Sequence, residues 1–376
     1  MTLAYSIFDS RIPRSMTFRI ATSTSAMAEN VLLRLSDGTH EGWGAACVNT
    51  VTAETFDTLH RDLPAIVEAA MDRGAGILPA SSAGVSPALD PDVILPALAA
   101  QFPNAPAARM AFDTALYDLL SRREGLPLYQ YLARRYGSTP ADGVTTDNTI
   151  YIEPLDVTLD LARDYLAKGF RVIKLKVGLD LAEDRRKVVE LRKLVGPAIG
   201  LYADANQGYT VLQALEMAGT LAEQKYLFFE QPVHKDDLAG LKRITDTAPL
   251  PVFADEAVRT LDLARRICTE KIASGVNIKL TKFGGIRAGI EVLRLAIANG
   301  REMMVGCYGE MSISLAAGVH FATAFPHIRI VDLDSHFSLI DEPATGLQLG
   351  EGGKLYTKGP GLGILVQAER LTVVRA

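Results

Sequence analysis

The sequence predicts an α/β fold, a (β/α)8-type or modified TIM barrel, carrying an α+β capping domain formed by the N-terminal region and the C-terminal tail. Three observations predict it. A chain of 376 residues exceeds one small domain and suits a barrel plus a second domain. From residue 140 onward, short apolar runs alternate with amphipathic helical stretches about every 25 residues. Charged side chains recur at the C-terminal ends of those runs, where such barrels gather their working groups.

Taken in order, residues 4–8 and 31–35 alternate as half-buried strands do. Ser36, Asp37 and Gly38 supply turn chemistry before a third strand at 42–47. Helical periodicity covers 52–71 and 107–122, and between them a Gly/Pro/Ser-rich loop, roughly 74–91, is expected to wrap the surface. The eight apolar runs are 148–152, 172–177, 199–203, 226–229, 252–254, 276–280, 303–305 and 328–331. Strands buried on both faces are what a parallel sheet with helices packed outside it requires. The expected boundaries are 1–125 for the cap, 126–332 for the barrel and 333–376 for a tail that returns to complete the cap. No low-complexity tract or solenoid repeat interrupts this plan.

Bulk properties exclude several classes. Hydrophobic content of 48% with 22% charged residues describes a globular chain. A net charge of -5 and the lack of any Lys/Arg stripe argue against a nucleic-acid partner. Cys47, Cys268 and Cys307 are scattered without CxxC spacing, which fits a reducing compartment and offers no thiolate metal site. Asp9 interrupts what would have to be the core of a signal peptide, and the apolar run 93–100 is too short to span a bilayer. A cytoplasmic protein with no membrane partner is expected, and assembly into a homo-oligomer stays open.

The strand ends carry the chemistry. The second run ends Lys174-Leu175-Lys176, the third in Asp204, the fourth in Glu230, and the fifth in Asp255 followed by Glu256. The sixth carries Lys279 with Lys282 three residues on, and the eighth ends Asp332-Leu333-Asp334. Asp204, Glu230 and Asp255 fall one βα unit apart, so they should converge from neighbouring strands. Three hard oxygen ligands suit Mg2+ better than Zn2+, and the six histidines show no HxH or HExxH spacing. Strands two and six lie across an eight-membered ring, so Lys176 and Lys279 should face each other over the pocket. Lys174 beside Lys176, and Lys282 beside Lys279, are expected to lower the pKa of a neighbouring ammonium by like charge. A metal beside a substrate carboxylate with a base on each face predicts 1,1-proton transfer through an enolate, hence racemisation or epimerisation.

These motifs resemble the enolase superfamily and, within it, the muconate-lactonizing subgroup. The resemblance rests on LysLeuLys at 174–176, AspAlaAsnGlnGly at 204–208, GluGlnPro at 230–232, AlaAspGlu at 254–256, AsnIleLysLeuThrLysPheGlyGly at 277–285 and GlyTrpGly at 42–44. It implies Asp204, Glu230 and Asp255 as Mg2+ ligands, Lys176 and Lys279 as the acid/base pair, and Asn206 and Glu256 in supporting places beside Lys174 and Lys282. A Lys or His base with one or two Mg2+ ions is the general arrangement of enolase-superfamily sites. GluGlnProValHisLysAspAspLeuAlaGlyLeu at 230–241 and the pair Asp332 and Asp334 are most similar to dipeptide epimerases (L-Ala-D/L-Glu epimerase-like), in which the DxD pair binds the substrate's α-ammonium.

The small-molecule partner implied is therefore an L,L-dipeptide, epimerised at the α-carbon of its C-terminal residue. One departure concerns the side chain. Family members acting on L-Ala-L-Glu can carry an arginine in the loop after the first strand, and this sequence offers Ser23 there, with Arg14 and Arg19 as the nearby cations. A buried acidic side chain without a partner is costly, so a neutral or hydrophobic dipeptide is expected, with Met16, Phe18 and Ile20 as lining. The competing readings are a cycloisomerase or an o-succinylbenzoate synthase-like lyase of the same superfamily. Both, like N-acylamino acid racemisation, leave Asp332 and Asp334 without a cation to bind. A barrel kept only for binding would have no need of the intact constellation.

Overall fold

The computed structural model describes residues 3–75 and 89–375. The chain opens with three antiparallel strands, β1 (Ala4–Ile20), β2 (Ser23–Ser36) and β3 (Glu41–Cys47). Asp37 closes the second turn by accepting the N–H groups of Thr39 and His40. A strand at Thr372–Arg375 pairs with β1 on its other edge, so the tail supplies the fourth strand of the cap sheet. Strand β1 is not regular throughout. Pro13 faces Met27 and Phe18 faces Ser25, so residues 14–17 bulge opposite a single residue of β2.

Four helices follow: α1 (Phe56–Ala75), α2 (Pro91–Gln101), α3 (Pro106–Arg123) and α4 (Leu128–Tyr136). Helix α1 starts four residues later than the periodicity predicts, because residues 49–55 are used otherwise. Asn49 accepts the N–H groups of Val51 and Thr52, and the Glu54 carboxylate accepts those of Ala107 and Ala108 at the start of α3. Helices α2 and α4 were not expected; α2 carries Pro91 in its first turn and, within it, Pro96, which reads as a helix breaker. Most of the loop expected at 74–91 lies outside the described residues. The cap sheet rests on α3 through GlyTrpGly. A Cβ on Gly44 would lie 1.9 Å from the Ala111 carbonyl oxygen, and one on Gly42 2.1 Å from that of Ala115, so only glycine allows this approach.

After β4 (Val144–Thr145) come the eight barrel strands: β5 (Asn148–Ile150), β6 (Val172–Lys176), β7 (Gly200–Asp204), β8 (Phe229–Glu230), β9 (Val252–Ala254), β10 (Gly275–Ile278), β11 (Glu302–Gly306) and β12 (Ile330–Asp332). Neighbours pair in parallel in that order, and each predicted apolar run meets one of them. The ring is nearly closed. Across the joint between β5 and β12, the Asp147 N–H donates to the Val331 carbonyl at 3.2 Å and the Thr149 N–H donates to Asp334 Oδ2 at 2.7 Å. Tyr202, Phe228 and Phe253 stand two residues before Asp204, Glu230 and Asp255 and so share their inward face one layer lower. Tyr202 stacks on Phe228 at 4.2 Å and Phe253 packs tilted on Phe228 at 4.4 Å, so the three make an aromatic floor under the charged layer. No helix among the described residues is long and apolar enough to cross a membrane; the run at 93–100 lies within α2.

Burial sets one pH dependence. His320 lies under the cap, where its Nδ1 accepts the Tyr129 N–H at 3.1 Å and so must be unprotonated. Burial holds its pKa down at about 4 against an ordinary 6.5, and burial does the same to His336. Between those values the unfolded chain binds more protons than the folded one, so stability falls as pH drops from 6.5 toward 4. About 2 kcal/mol per histidine should be lost between pH 7 and 5. Denaturation at the two pH values is expected to show this loss, with about half of the slope removed in His320→Asn.

Candidate active site

Asp204 and Glu230 end adjacent strands in register, and Asp255 follows β9 by one residue. All three are buried, and one carboxylate oxygen of each lies within 4.8 Å of the others. The backbone just past these strand ends adopts left-handed conformations at Asn206 (φ 41°), Gln207 (φ 73°) and Gln231 (φ 35°), a strain that tends to persist where the surroundings fix it for function. Gln231 explains part of that fixing. It accepts the N–H groups of Asp255 and Ala257 at 2.9 and 3.0 Å and donates to the Val233 carbonyl at 2.8 Å, so it locks the loop bearing Asp255.

Four buried lysines surround the acids. Lys174 Nζ donates to Glu230 at 2.8 Å and Asp332 at 2.7 Å, and lies 3.0 Å from Asp204 Oδ2. Lys176 donates to that same Asp204 oxygen at 2.7 Å, which brings the two ammonium groups close together. Lys279 donates to Asp255 Oδ2 at 2.8 Å, and its Nζ lies 4.4 Å from the centre of the Tyr308 ring. It sits just past β10, where the chain turns into the one-turn helix Leu280–Phe283. That turn aims Lys282 at Asp255 Oδ1 (2.9 Å) and at the Asp255 and Asn277 carbonyls (both 2.8 Å). Strands β6 and β10 are four apart in the ring of eight, so Lys176 and Lys279 come from opposite walls.

Charge is distributed unevenly among these groups. Burial pushes Asp204 upward, but the Lys176 and Lys174 ammoniums outweigh it and hold the carboxyl at about 2. Asp255 likewise sits well below the carboxylate range, because Lys279 and Lys282 overcome its burial. Glu230 goes the other way, to about 7, through burial and repulsion from Asp204. Lys282 itself is lowered, by burial first, but the lowering it was expected to cause at Lys279 does not hold. For Lys279, Asp255 and other negative groups exceed burial and keep the ammonium well above its ordinary value. Glu230 nevertheless accepts from the Lys174 ammonium at 2.8 Å. Glu256, raised to about 7 by burial and Asp255, receives one bond from Asn206 at 3.1 Å. Its Oε2, Asn206 Oδ1 and Asn277 Oδ1 are buried without partners. An all-oxygen donor set with unused buried acceptors around it fits a hard divalent cation such as Mg2+.

At the joint between β12 and β5, Asp332 carries Lys174, while Asp334 accepts the Thr149 N–H and has the Cys307 thiol 3.9 Å away. Burial and the Asp332 charge raise Asp334. Three neighbours escaped the sequence reading. Asn277 donates to Glu230 at 2.6 Å, and its place two residues before Lys279 could have revealed it. Tyr308 packs against Lys279. Asp147, which receives a short hydrogen bond from Tyr202, is raised well above its ordinary value by burial and by Asp332 and Asp334; it precedes its strand and reads as turn.

The three cap residues separate. Ser23 starts β2 at the hairpin tip, half-buried, with no hydrogen bond to the charged cluster among the described residues. The adjoining Ala21 reaches Gly178 beyond β6, where a Cβ on that glycine would meet its methyl group at 3.3 Å. Arg19 is exposed and contributes only its carbonyl, which accepts the Ile152 N–H. Arg14 is buried on the bulge and donates to Ser338 Oγ. Of the proposed lining, Phe18 packs on Tyr151 at 5.0 Å, and Met16 and Ile20 are half-buried.

The mandelate racemase/muconate lactonizing enzyme N-terminal domain matches residues 3–133, and the enolase C-terminal domain-like family matches residues 158–370. The L-Ala-D/L-Glu epimerase of Bacillus subtilis is 34% identical over 365 residues, 94% of either chain. The hydrophobic dipeptide epimerase of Citrifermentans bemidjiense is 33% identical over 94% of this chain and 95% of its own. Among solved structures, the dipeptide epimerase of Enterococcus faecalis complexed with Mg and L-Leu-L-Tyr superposes with a TM-score of 0.87. It is 29% identical and covers 97% of this chain and 99% of its own.

Proposed function

The chain belongs to the enolase superfamily, in the mandelate racemase/muconate lactonizing enzyme family, and on that premise we propose that it is a Mg2+-dependent dipeptide epimerase. The carrying observation is a pair of lysines on opposite barrel walls, Lys176 and Lys279, each bonded to a member of one buried carboxylate cluster. Asp204, Glu230 and Asp255 would hold the metal. A dication there would supply positive charge beside a substrate carboxylate as the α-proton leaves, and would offset the field that keeps Lys279 protonated.

The chain's own groups account for the proton movements. One lysine, as the free amine, takes the α-proton of the C-terminal residue, breaking C–H and forming N–H. The other, as an ammonium on the opposite face, returns a proton to the same carbon and is left neutral. Configuration inverts, and no electrons are gained or lost. Lys174 and Lys282 tie the acids to the barrel wall, and the aromatic floor lies below them. Asp332 and Asp334 would take the substrate's α-ammonium, since two carboxylates on one face suit a cation. Ser23 at the hairpin tip, uncharged, supports a neutral or hydrophobic dipeptide over L-Ala-L-Glu. The buried, unpaired cysteines support a reducing compartment, the cytoplasm.

Proton NMR in D2O with Mg2+ and a panel of L,L-dipeptides tests the reading. Loss of the C-terminal α-proton signal with appearance of an L,D product is expected. No exchange with any dipeptide would return the chain to a cycloisomerase or lyase role. The ammonium site has its own test in Asp334→Asn, because Asp332 also carries Lys174. KM should rise about tenfold or more with a smaller change in kcat; unchanged kinetics would remove Asp334 from that role.

A further inference from the structure

Arg14 is a buried cation of the cap that the reaction above does not use. It is 9% exposed, and its one side-chain hydrogen bond among the described residues runs from Nη1 to Ser338 Oγ at 2.9 Å. Its Nε is buried with no partner, and no ion pair among the described residues includes it. A guanidinium offers five N–H donors, and leaving the buried one at Nε unmade is costly. The surroundings hold it there. A Cβ on Gly309 would lie 2.4 Å from Nη2, so the guanidinium fills space that any other residue at 309 would occupy. The guanidinium carbon also lies 5.6 Å from the centre of the Phe18 ring.

Its position relative to the substrate follows from its neighbours. Ser338 closes the short 3-10 turn Ser335–Ser338 that begins directly after Asp334. Gly309 stands two residues after Cys307, whose thiol lies 3.9 Å from Asp334. Phe18 packs on Tyr151, which feels the charges of both Asp334 and Arg14. Arg14 therefore stands at the Asp334 end of the site. In a dipeptide whose ammonium sits on Asp332 and Asp334, the nearest variable group is the side chain of the N-terminal residue.

Resting on the dipeptide reading, we propose that Arg14 determines specificity by donating hydrogen bonds to an oxygen acceptor on the side chain of the substrate's N-terminal residue. A carboxamide is the uncharged form of that acceptor and a carboxylate the charged one. What the guanidinium lacks is an acceptor, and a carboxamide provides it while leaving the substrate neutral.

The test uses the full chain loaded with Mg2+, with L-Gln-L-Ala, L-Glu-L-Ala and L-Leu-L-Ala as substrates. The expected result is kcat/KM for L-Gln-L-Ala at least about tenfold above L-Leu-L-Ala. Arg14→Leu should erase that preference mainly through KM, and Arg14→Lys should restore part of it. Gly309→Ala, which displaces the guanidinium, should weaken the preference as well and serves if Arg14→Leu does not fold. A still higher value for L-Glu-L-Ala would assign the charged acceptor. Equal values for L-Leu-L-Ala and L-Gln-L-Ala in the unaltered protein, or a preference that survives both Arg14→Leu and Gly309→Ala, would overturn this inference alone. Exchange with no dipeptide would overturn the epimerase reading and this inference with it.

Discussion

Replacing Lys176 or Lys279 with alanine is expected to reduce epimerisation on the order of a thousandfold while leaving exchange with solvent on one face of the substrate. Each lysine comes from a different wall and bonds a different carboxylate, so removing one leaves the other in place. With Lys176 absent, Lys279 can still remove and return the proton on its own side. Deuterium then enters one enantiomer at the α-carbon without inversion, and the reverse holds for the other variant. The two variants should therefore show complementary exchange, each with a different diastereomer of the dipeptide. If either kept full epimerisation, or if both lost exchange with both diastereomers, the two-base assignment would be wrong.

Chelation gives the second large effect and a contrasting pattern. Removing divalent metal is expected to abolish inversion and exchange together, because the charge that stabilises proton loss serves both faces. Mg2+ should restore both. Folding linkage supplies an independent reading: at 100 times its Kd a ligand bound only by the folded state adds about 2.7 kcal/mol. The Tm should rise by a few degrees with Mg2+, and this rise should vanish in Asp204→Ala. A Tm indifferent to millimolar Mg2+ would remove the metal from the three carboxylates.

The barrel and its charged layer were legible because each depends on short-range pattern. An inward strand needs a continuous apolar run, and its C-terminal end needs a turn, so Asp204, Glu230 and Asp255 announce themselves by position alone. Lys279 and Lys282 were legible as a spacing of three, although the one-turn helix that makes them converge was not. Helix α2 was hidden by Pro96, which tertiary packing overrides, while Pro91 stands in the first turn, where proline suits a helix. Asp147 was hidden because its partners Tyr202, Asp332 and Asp334 lie between 55 and 187 residues away, a proximity no local pattern encodes. The cap side chains were legible in principle. Burial in β1 alternates from Ser10 to Ile20, through the irregular pairing at residues 14–17, so counting by twos from Ile12 assigns Arg14 to the inner face and Arg19 to the outer one, a count the sequence reading did not make. Arg14 turns inward and Arg19 outward.

The joint between β5 and β12 carries a consequence for how the barrel breathes. Elsewhere around the ring, strands are held by main-chain ladders that are indifferent to what occupies the centre. At this joint a side chain does part of that work, since the Thr149 amide is fastened by the Asp334 carboxylate. On the dipeptide reading, the same carboxylate takes the substrate's α-ammonium. Opening of the joint and occupancy of Asp334 are therefore linked through one group. A ligand that draws the carboxylate inward loosens the fastening, and one that leaves its Oδ2 in place tightens it. Under the reading proposed above, the seam that a side chain helps to fasten is thus the one that would respond to a bound dipeptide.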